Sequence, residues 1–267
     1  MTNLTDWIGR EEEREEVIAI GRARAMEATL DREPILRAGD DLPALWNWLY
    51  FNEAAKASEL GADGHPERGG FLPPVPLPRR MWAGGRFRFT KPLRIGECAV
   101  RRSRILSVKE KTGRSGALCF VTVLHEFDQA GHCFAEEHDI VYRAMQDGQS
   151  EPSHVPAPDP VRTSSKTIVP STTLLFRYSA LTFNGHRIHY DRDYAVNEEH
   201  YPGLVFHGPL TATLLAGLAP REMKRFDYRA RAPIFDTAPF EVYTDGEARC
   251  WATTPDGGLA MEARYET

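Results

Sequence analysis

GPLTATLLAGLAP (Gly208–Pro220) decides how the second half of this chain folds. Leu210, Leu214, Leu215 and Leu218 recur at helical spacing, and Ala212, Ala216 and Gly217 fill much of the remaining circumference. A helix without a polar face is stable only when it is buried. Pro209 suits its first turn and Pro220 its end. The segments that follow have a different period. In Lys224–Ala232, Phe226, Tyr228, Ala230 and Ala232 alternate with Asp227, Arg229 and Arg231, and Leu259, Met261, Ala263 and Tyr265 repeat the alternation near the C-terminus. Period-two runs of this kind are strands with one wet face, usually antiparallel. A buried helix gripped by a curved antiparallel sheet is the expected arrangement.

The first half shows rougher versions of the same pieces. Phe87 and Phe89 alternate with Arg86 and Arg88, Cys98–Lys109 is strand-like, and Leu118–Phe127 and Cys133–Tyr142 pair across a turn at Gln129–Gly131. Glu13–Leu30 reads as a surface helix, Leu42–Leu60 as helical, and Gly69–Gly85 as a Pro/Gly-rich loop with a short helical turn. Residues 144–166 hold four prolines and few large apolar side chains, which marks a linker. Asp31-Arg-Glu-Pro-Ile-Leu36 lines up with Asn184-Gly-His-Arg-Ile-His189, which suggests an internal duplication whose first copy lacks the histidine.

The formal net charge of −5 and pI near 6.0 argue against a general nucleic-acid or membrane-surface binder. No apolar run reaches the ~20 residues that span a bilayer. The acidic start, Glu11–Glu16, is unlike a basic leader, so a cytoplasmic location is expected. Cys98, Cys119, Cys133 and Cys250 are scattered without a C-x-x-C pair and read as reduced, buried or half-buried small side chains. No metal-ligand cluster and no glycine-rich nucleotide loop stand out.

The chemistry concentrates in FRYSALTFNGHRIHYDRDYAVNEEHYPGLVFHGPL (Phe176–Leu210), where a polar loop with two close histidines precedes the buried helix. A loop of this kind can hold a water, and a helix start offers a free N–H to a carbonyl oxygen. His189 suits acid/base work near neutrality. Gly208 leaves the first N–H of the helix open to a substrate oxygen. By residue type alone, His189 could equally be a satisfied loop histidine, Asn184 a turn residue before glycine, and Gly208 a capping glycine.

The segment resembles the MaoC-like hydratases and dehydratases, whose usual motif is Asp-x-Asn-Pro-x-His. Here Asn184 stands at the Asp position, His186 at the Asn, Arg187 at the Pro and His189 at the His. With WIGR (Trp7–Arg10), RGGFLPPVPLPRRMWAGG (Arg68–Gly85) and EKTGRSG (Glu110–Gly116), the chain is similar to a branch that includes type-two hydroxyacyl-thioester dehydratases and mesaconyl-C4-CoA and itaconyl-CoA hydratases. The resemblance implies an α+β double hotdog: residues 1–147 an N-terminal, non-catalytic copy, 148–166 a linker, and 167–267 the catalytic copy. It implies a hydro-lyase that adds water to a 2-enoyl thioester, with an acyl-CoA substrate and no cofactor beyond the coenzyme A of that substrate. His189, Asn184 and Gly208 are the expected catalytic groups. His186, His207, Arg79, Arg80 and Arg177 are the expected substrate contacts, one arginine matching a free carboxylate or the coenzyme A phosphates. A dehydratase of acyl-carrier-protein thioesters, a hotdog thioesterase and a non-catalytic acyl-thioester-binding subunit stay open as alternatives, and two such chains could still pair.

Overall fold

The acidic N-terminal run is a strand, β1 (Glu11–Val17), and the helix expected over Glu13–Leu30 is confined to α1 (Ile20–Thr29). Glutamate and arginine favour helices when isolated, but here tertiary pairing decides. Glu12, Arg14 and Glu16 turn half-inward while Glu11, Glu13 and Glu15 face solvent, and Arg101 and Arg102 of the neighbouring strand bind Glu12 and Glu13 at 2.8 Å. The expected helix over Leu42–Leu60 is cut to one 3-10 turn, Trp46–Leu49, and a shorter one at Ala57–Glu59. Left-handed backbone at Leu45 and Phe51 breaks it on both sides, which lets Trp46, Leu49, Tyr50 and Phe51 all point into the core.

The computed structural model describes residues 3–113, 116–144, 155–158 and 164–267. The expected linker lies mostly outside these, and the second half begins at Ser164, two residues before the expected end of the linker. After α1 come β2 (Arg79–Phe89), β3 (Cys98–Gly113), β4 (Gly116–Asp128) and β5 (His132–Arg143). The proline-rich stretch therefore ends earlier than expected, at Pro78. The second half supplies β6 (Ser164–Ile168), α2 (Thr172–Leu181), α3 (Gly208–Ala216), β7 (Arg225–Ala230), β8 (Phe240–Thr244), β9 (Arg249–Thr253) and β10 (Leu259–Glu266).

All ten strands join one antiparallel sheet in the order β1-β3-β4-β5-β2-β7-β10-β9-β8-β6. The order is palindromic once β1 is matched with β6, β3 with β8, β4 with β9, β5 with β10 and β2 with β7. The two halves meet at β2 and β7, where Phe87 lies opposite Phe226, both fully buried. Gly84 and Gly85 permit this join: a Cβ on Gly84 would sit 2.5 Å from the Tyr228 carbonyl oxygen, and one on Gly85 2.7 Å from the Tyr228 hydroxyl.

α3 is buried as its sequence demands, with Leu210, Ala212, Leu215 and Ala216 inside and β8, β9 and β10 wrapped around it. The first half carries no equivalent α-helix among its described residues; the Trp46–Leu49 turn occupies the same place in the order of elements. α1 and α2 pack against each other, and each is followed two residues later by a left-handed residue, Asp31 and Phe183. The fold therefore equates Asp31 with Phe183, one residue out of the sequence alignment with Asn184. Cys119, Cys133 and Cys250 are buried, but Cys98 is exposed, its thiol on the Glu15 carboxylate at 3.1 Å. No helix among the described residues is long and apolar enough to cross a membrane.

Candidate active site

The candidate catalytic segment starts where α2 stops. Ser171 caps α2 by accepting from the Leu174 N–H, and the Thr182 hydroxyl turns back to the Tyr178 carbonyl. Left-handed Phe183 then reverses the chain, and the Asn184 N–H closes on the Ser179 carbonyl at 2.8 Å. The Asn184 side-chain oxygen accepts from the His186 N–H at 3.0 Å, which starts the 3-10 turn Arg187–His189.

His189 is buried, and its Nδ1 lies 2.7 Å from the Val205 carbonyl oxygen. A carbonyl only accepts, so Nδ1 carries the proton of the neutral ring and Nε2 keeps its lone pair. Burial pushes the imidazole down to about 4, against the pull of the Val205 hydrogen bond. His189 is therefore neutral at pH 7, not the partly protonated group its residue type suggests. Val205 immediately precedes the entry to α3, and the His189 ring stacks on His207 with centroids 3.7 Å apart. His207 is fully buried and bonds the Ser179 hydroxyl through Nε2 at 2.9 Å. The loop histidine and the helix start are thus brought together, with His186 edge-on to His189 at 5.5 Å.

Gly208 opens α3, and its N–H precedes the intrahelical ladder. A Cβ there would only touch Trp82 at 3.9 Å, so space alone does not require glycine at this position. Trp82 donates from Nε1 to the Tyr228 hydroxyl at 2.6 Å and stacks on His138, which makes a fixed wall beside the helix start.

A second loop, from the first half, completes the cluster and was not singled out in the sequence. The His65 ring lies 4.1 Å from the His186 ring, and its Nδ1 is 3.1 Å from an Asp63 carboxylate oxygen. Two glycines clasp the loops. A Cβ on Gly64 would stand 2.0 Å from the Gly185 carbonyl oxygen, one on Gly185 would stand 2.6 Å from the Gly64 carbonyl oxygen, and Gly64 has φ +86°. Arg187 fastens the join through its N–H to the Asp63 carbonyl and its guanidinium to the Ala62 carbonyl. Gly64→Ala is expected to destabilise the protein by about 2 kcal/mol or more and to depress activity. Gly70→Ala, where an added Cβ meets nothing within 4 Å, should do neither. Parallel thermal melts and rate measurements check this.

Asp63, His65 and His186 bring three potential metal-ligand atoms within 4.8 Å of one another, a cluster the sequence reading did not expect because its members lie on loops far apart in the chain. Two features oppose a cation there. Burial disfavours added charge on both rings, and the positive charge of Arg80 acts on each of them.

The arginines divide. Arg79 is occupied by Glu199, at 3.0 Å to its carbonyl and 3.3 Å to its carboxylate, and lies over the Tyr201 ring. Arg177 is exposed on α2 and does not line the groove beside it. Arg80 is half-buried, has no carboxylate partner among the described residues, and adds to the effect of burial in lowering the basicity of His65, His186 and His138. The groove, about 380 Å³, runs between α2 and the 53–66 loop and is lined by Phe176, Phe183, Tyr190, Leu60, Pro66 and Asn184.

The family described as Hydroxyacyl-thioester dehydratase type 2 matches residues 45–236, well over half of the chain. The chain belongs to the hydroxyacyl-thioester dehydratase type 2 family. Among relatives of this dehydratase family, a protein named mesaconyl-C(4)-CoA hydratase from Chloroflexus aurantiacus is 49% identical over 276 residues, covering 97% of this chain and 96% of its own. A MaoC-like dehydratase from Phytophthora capsici superposes with a TM-score of 0.68 at 12% identity, covering 100% of this chain and 98% of that one. A Mycobacterium tuberculosis protein described as a double hotdog fold gives 0.55 at 13% identity, with 97% and 95% covered. At those identities the likeness is one of fold, and it is the α+β double hotdog expected for a type 2 dehydratase.

Proposed function

We propose that this protein catalyses the reversible addition of water to a 2-enoyl-CoA thioester whose acyl group ends in a free carboxylate, as in mesaconyl-C4-CoA. The observation that carries the reading is the neutral His189, fixed through Nδ1 on Val205 and stacked on the residue before the first N–H of α3. The thioester oxygen rests on the Gly208 N–H, where the positive end of α3 favours the negative charge that develops as the alkene accepts a nucleophile. His189 Nε2 takes one proton from water, the water oxygen bonds to the β-carbon, and the π electrons move onto the thioester as an enolate. Return of the proton from Nε2 to the α-carbon restores the carbonyl, so H and OH are added and the enzyme is unchanged. The Asn184 side chain lines the groove, with its oxygen held by the His186 N–H, so its NH2 is the group left for substrate or water. The described residues up to 144 make the first hotdog and those from Ser164 onward the second, and the catalytic segment belongs to the second.

The free carboxylate is assigned to Arg80, the half-buried guanidinium without a carboxylate partner among the described residues; His207 supports the His189 ring, and Arg79 holds the Glu199–Tyr201 turn. The name of the Chloroflexus relative supports coenzyme A over carrier protein as the thiol. Mixing the protein with mesaconyl-C4-CoA, and with a matched enoyl-CoA lacking the carboxylate, should give loss of enoyl-thioester absorbance mainly with the former and no free thiol in either. Arg80→Gln should raise KM for the dicarboxylic substrate by about 10-fold or more and leave the other nearly unchanged. Thiol release without loss of the alkene would make the protein a thioesterase, and tight binding without turnover would make it a carrier subunit.

A further inference from the structure

In the family's usual motif a carboxylate stands where this chain has Asn184, and the structure shows that the substitution is not repaired locally. The Asn184 oxygen is spent on the His186 N–H, and an amide cannot accept a proton as a carboxylate does. Beside the gap, however, stands a carboxylate–imidazole pair from the other half of the chain. Asp63 holds His65 twice: one oxygen accepts from the His65 N–H at 3.0 Å and the other meets ring Nδ1 at 3.1 Å. That contact places the ring proton on Nδ1 and leaves Nε2 as an acceptor, the same tautomer that Val205 imposes on His189. The ring is mostly buried, packs against His186 at 4.1 Å, and lies near enough to His189 to lower its basicity. The Gly64–Gly185 clasp and the two Arg187 contacts hold the pair in this place.

We propose that Asp63 and His65 replace the missing carboxylate. His65 Nε2 accepts a hydrogen bond from the second hydrogen of the reacting water, the one that stays in the product hydroxyl, while His189 takes the first. His65 is then a catalytic residue, because it touches the water. Asp63 is a positioning residue that fixes the His65 tautomer and orientation. No additional bond is made or broken: the O–H directed at His65 survives the reaction, and the proton leaving the water still passes through His189 to the α-carbon. The first hotdog thus contributes chemistry to the site as well as shape. This assignment rests on the hydratase reading above.

The test is a set of variants assayed on mesaconyl-C4-CoA: His65→Ala, His65→Gln, Asp63→Asn, Asn184→Asp, and the double variant His65→Ala with Asn184→Asp. His65→Ala should lower kcat by about 10- to 100-fold with KM within a few-fold of the parent, and Asp63→Asn should lower it less. Restoring the carboxylate at position 184 should recover most of the activity lost in His65→Ala. A purely structural role for His65 predicts no such rescue, so its failure overturns the assignment. Parental kcat in well-folded His65→Ala or His65→Gln does the same, as does a stoichiometric metal in the purified protein that is lost with His65. His65→Gln preserves bulk and a polar tip should the alanine variant not fold. If the parent itself hydrates no enoyl-CoA while remaining folded, the hydratase reading fails first. A parent that turns over, with His189 variants dead and His65 variants fully active, sinks only the role given to His65.

Discussion

His189→Gln is expected to cut the hydration rate by about 10²- to 10⁴-fold while leaving the fold in place. Glutamine can still donate to the Val205 carbonyl through its amide, so the buried oxygen is not orphaned and the cost of an unpaired acceptor, about 1–3 kcal/mol, is avoided. The lone pair that imidazole Nε2 offers to water is lost, because the remaining amide oxygen is a far weaker base. His189→Ala removes both and should lose stability as well as rate, which makes glutamine the cleaner probe. The same geometry sets the acid limb of the parental pH–rate profile. His189 must be neutral to act as a base, and burial holds it down to about 4. Initial rates should therefore persist below pH 6.5, where a solvated histidine would already be half-protonated, and decline only towards pH 4–5. Stopped-flow assays after rapid pH jumps measure this before any acid unfolding. An unchanged rate in His189→Gln would remove this imidazole from the mechanism.

The parts of this protein that could be read from sequence are those whose environment is set by their neighbours in the chain. α3 announces itself because an all-round apolar run between two prolines can only be buried, and β7 and β10 because strict alternation fixes which face is wet. β1 could not be read in this way. Its Glu–Arg composition favours a helix, and only Arg101 and Arg102, some 90 residues later, make the extended form better. The aromatic stretch around Trp46 failed for a related reason: its side chains must all face one cavity, which the left-handed turns at Leu45 and Phe51 achieve and a helix does not. At the site, His189, His186 and His207 were legible because they share one short segment with the start of α3. Asp63 and His65 were not, since a D-G-H triplet in a loop has no period and gains meaning only when Gly64 meets Gly185. Arg79, Arg80 and Arg177 looked alike in the sequence. The difference between them, one held by a carboxylate, one half-buried with no carboxylate partner among the described residues, one exposed, exists only after folding.

Lowering the pH from 7 to 5 is expected to destabilise the protein steeply, because it buries an unusual number of neutral imidazoles. Burial holds six of the nine histidines below their ordinary value: His65, His125, His138 at about 3, His186 at about 2, His189 at about 4, and His207. The local causes reinforce one another. His189 touches His186 on one side and His207 on the other, so a charge on one opposes a charge on the next, and His125 and His138 share the neighbourhood of Arg101. In the unfolded chain each takes up a proton near pH 6.5. Between that value and the folded values the unfolded state binds more protons, so stability falls as pH falls, by about 1.4 kcal/mol per pH unit for each proton of difference. Glu136 works the other way. Buried with only Asn47 and Trp48 as donors, it is raised to about 7, so the folded state holds a proton that the unfolded state has released, and its contribution grows as pH falls. One carboxyl offsets one imidazole and leaves several uncompensated. Against a typical total of about 5–15 kcal/mol, a slope of that sign removes a substantial part of the stability by pH 5. Tm should therefore be greatest at or above pH 7 and fall on the way to pH 5, and unfolding by denaturant at pH 5 in weak buffer should take up more than one proton per molecule. A Tm that stays level from pH 7 to 5, or proton uptake below one, would mean that these rings are solvated or already charged in the folded protein. The neutral His189 on which the proposed chemistry depends would then be lost with them.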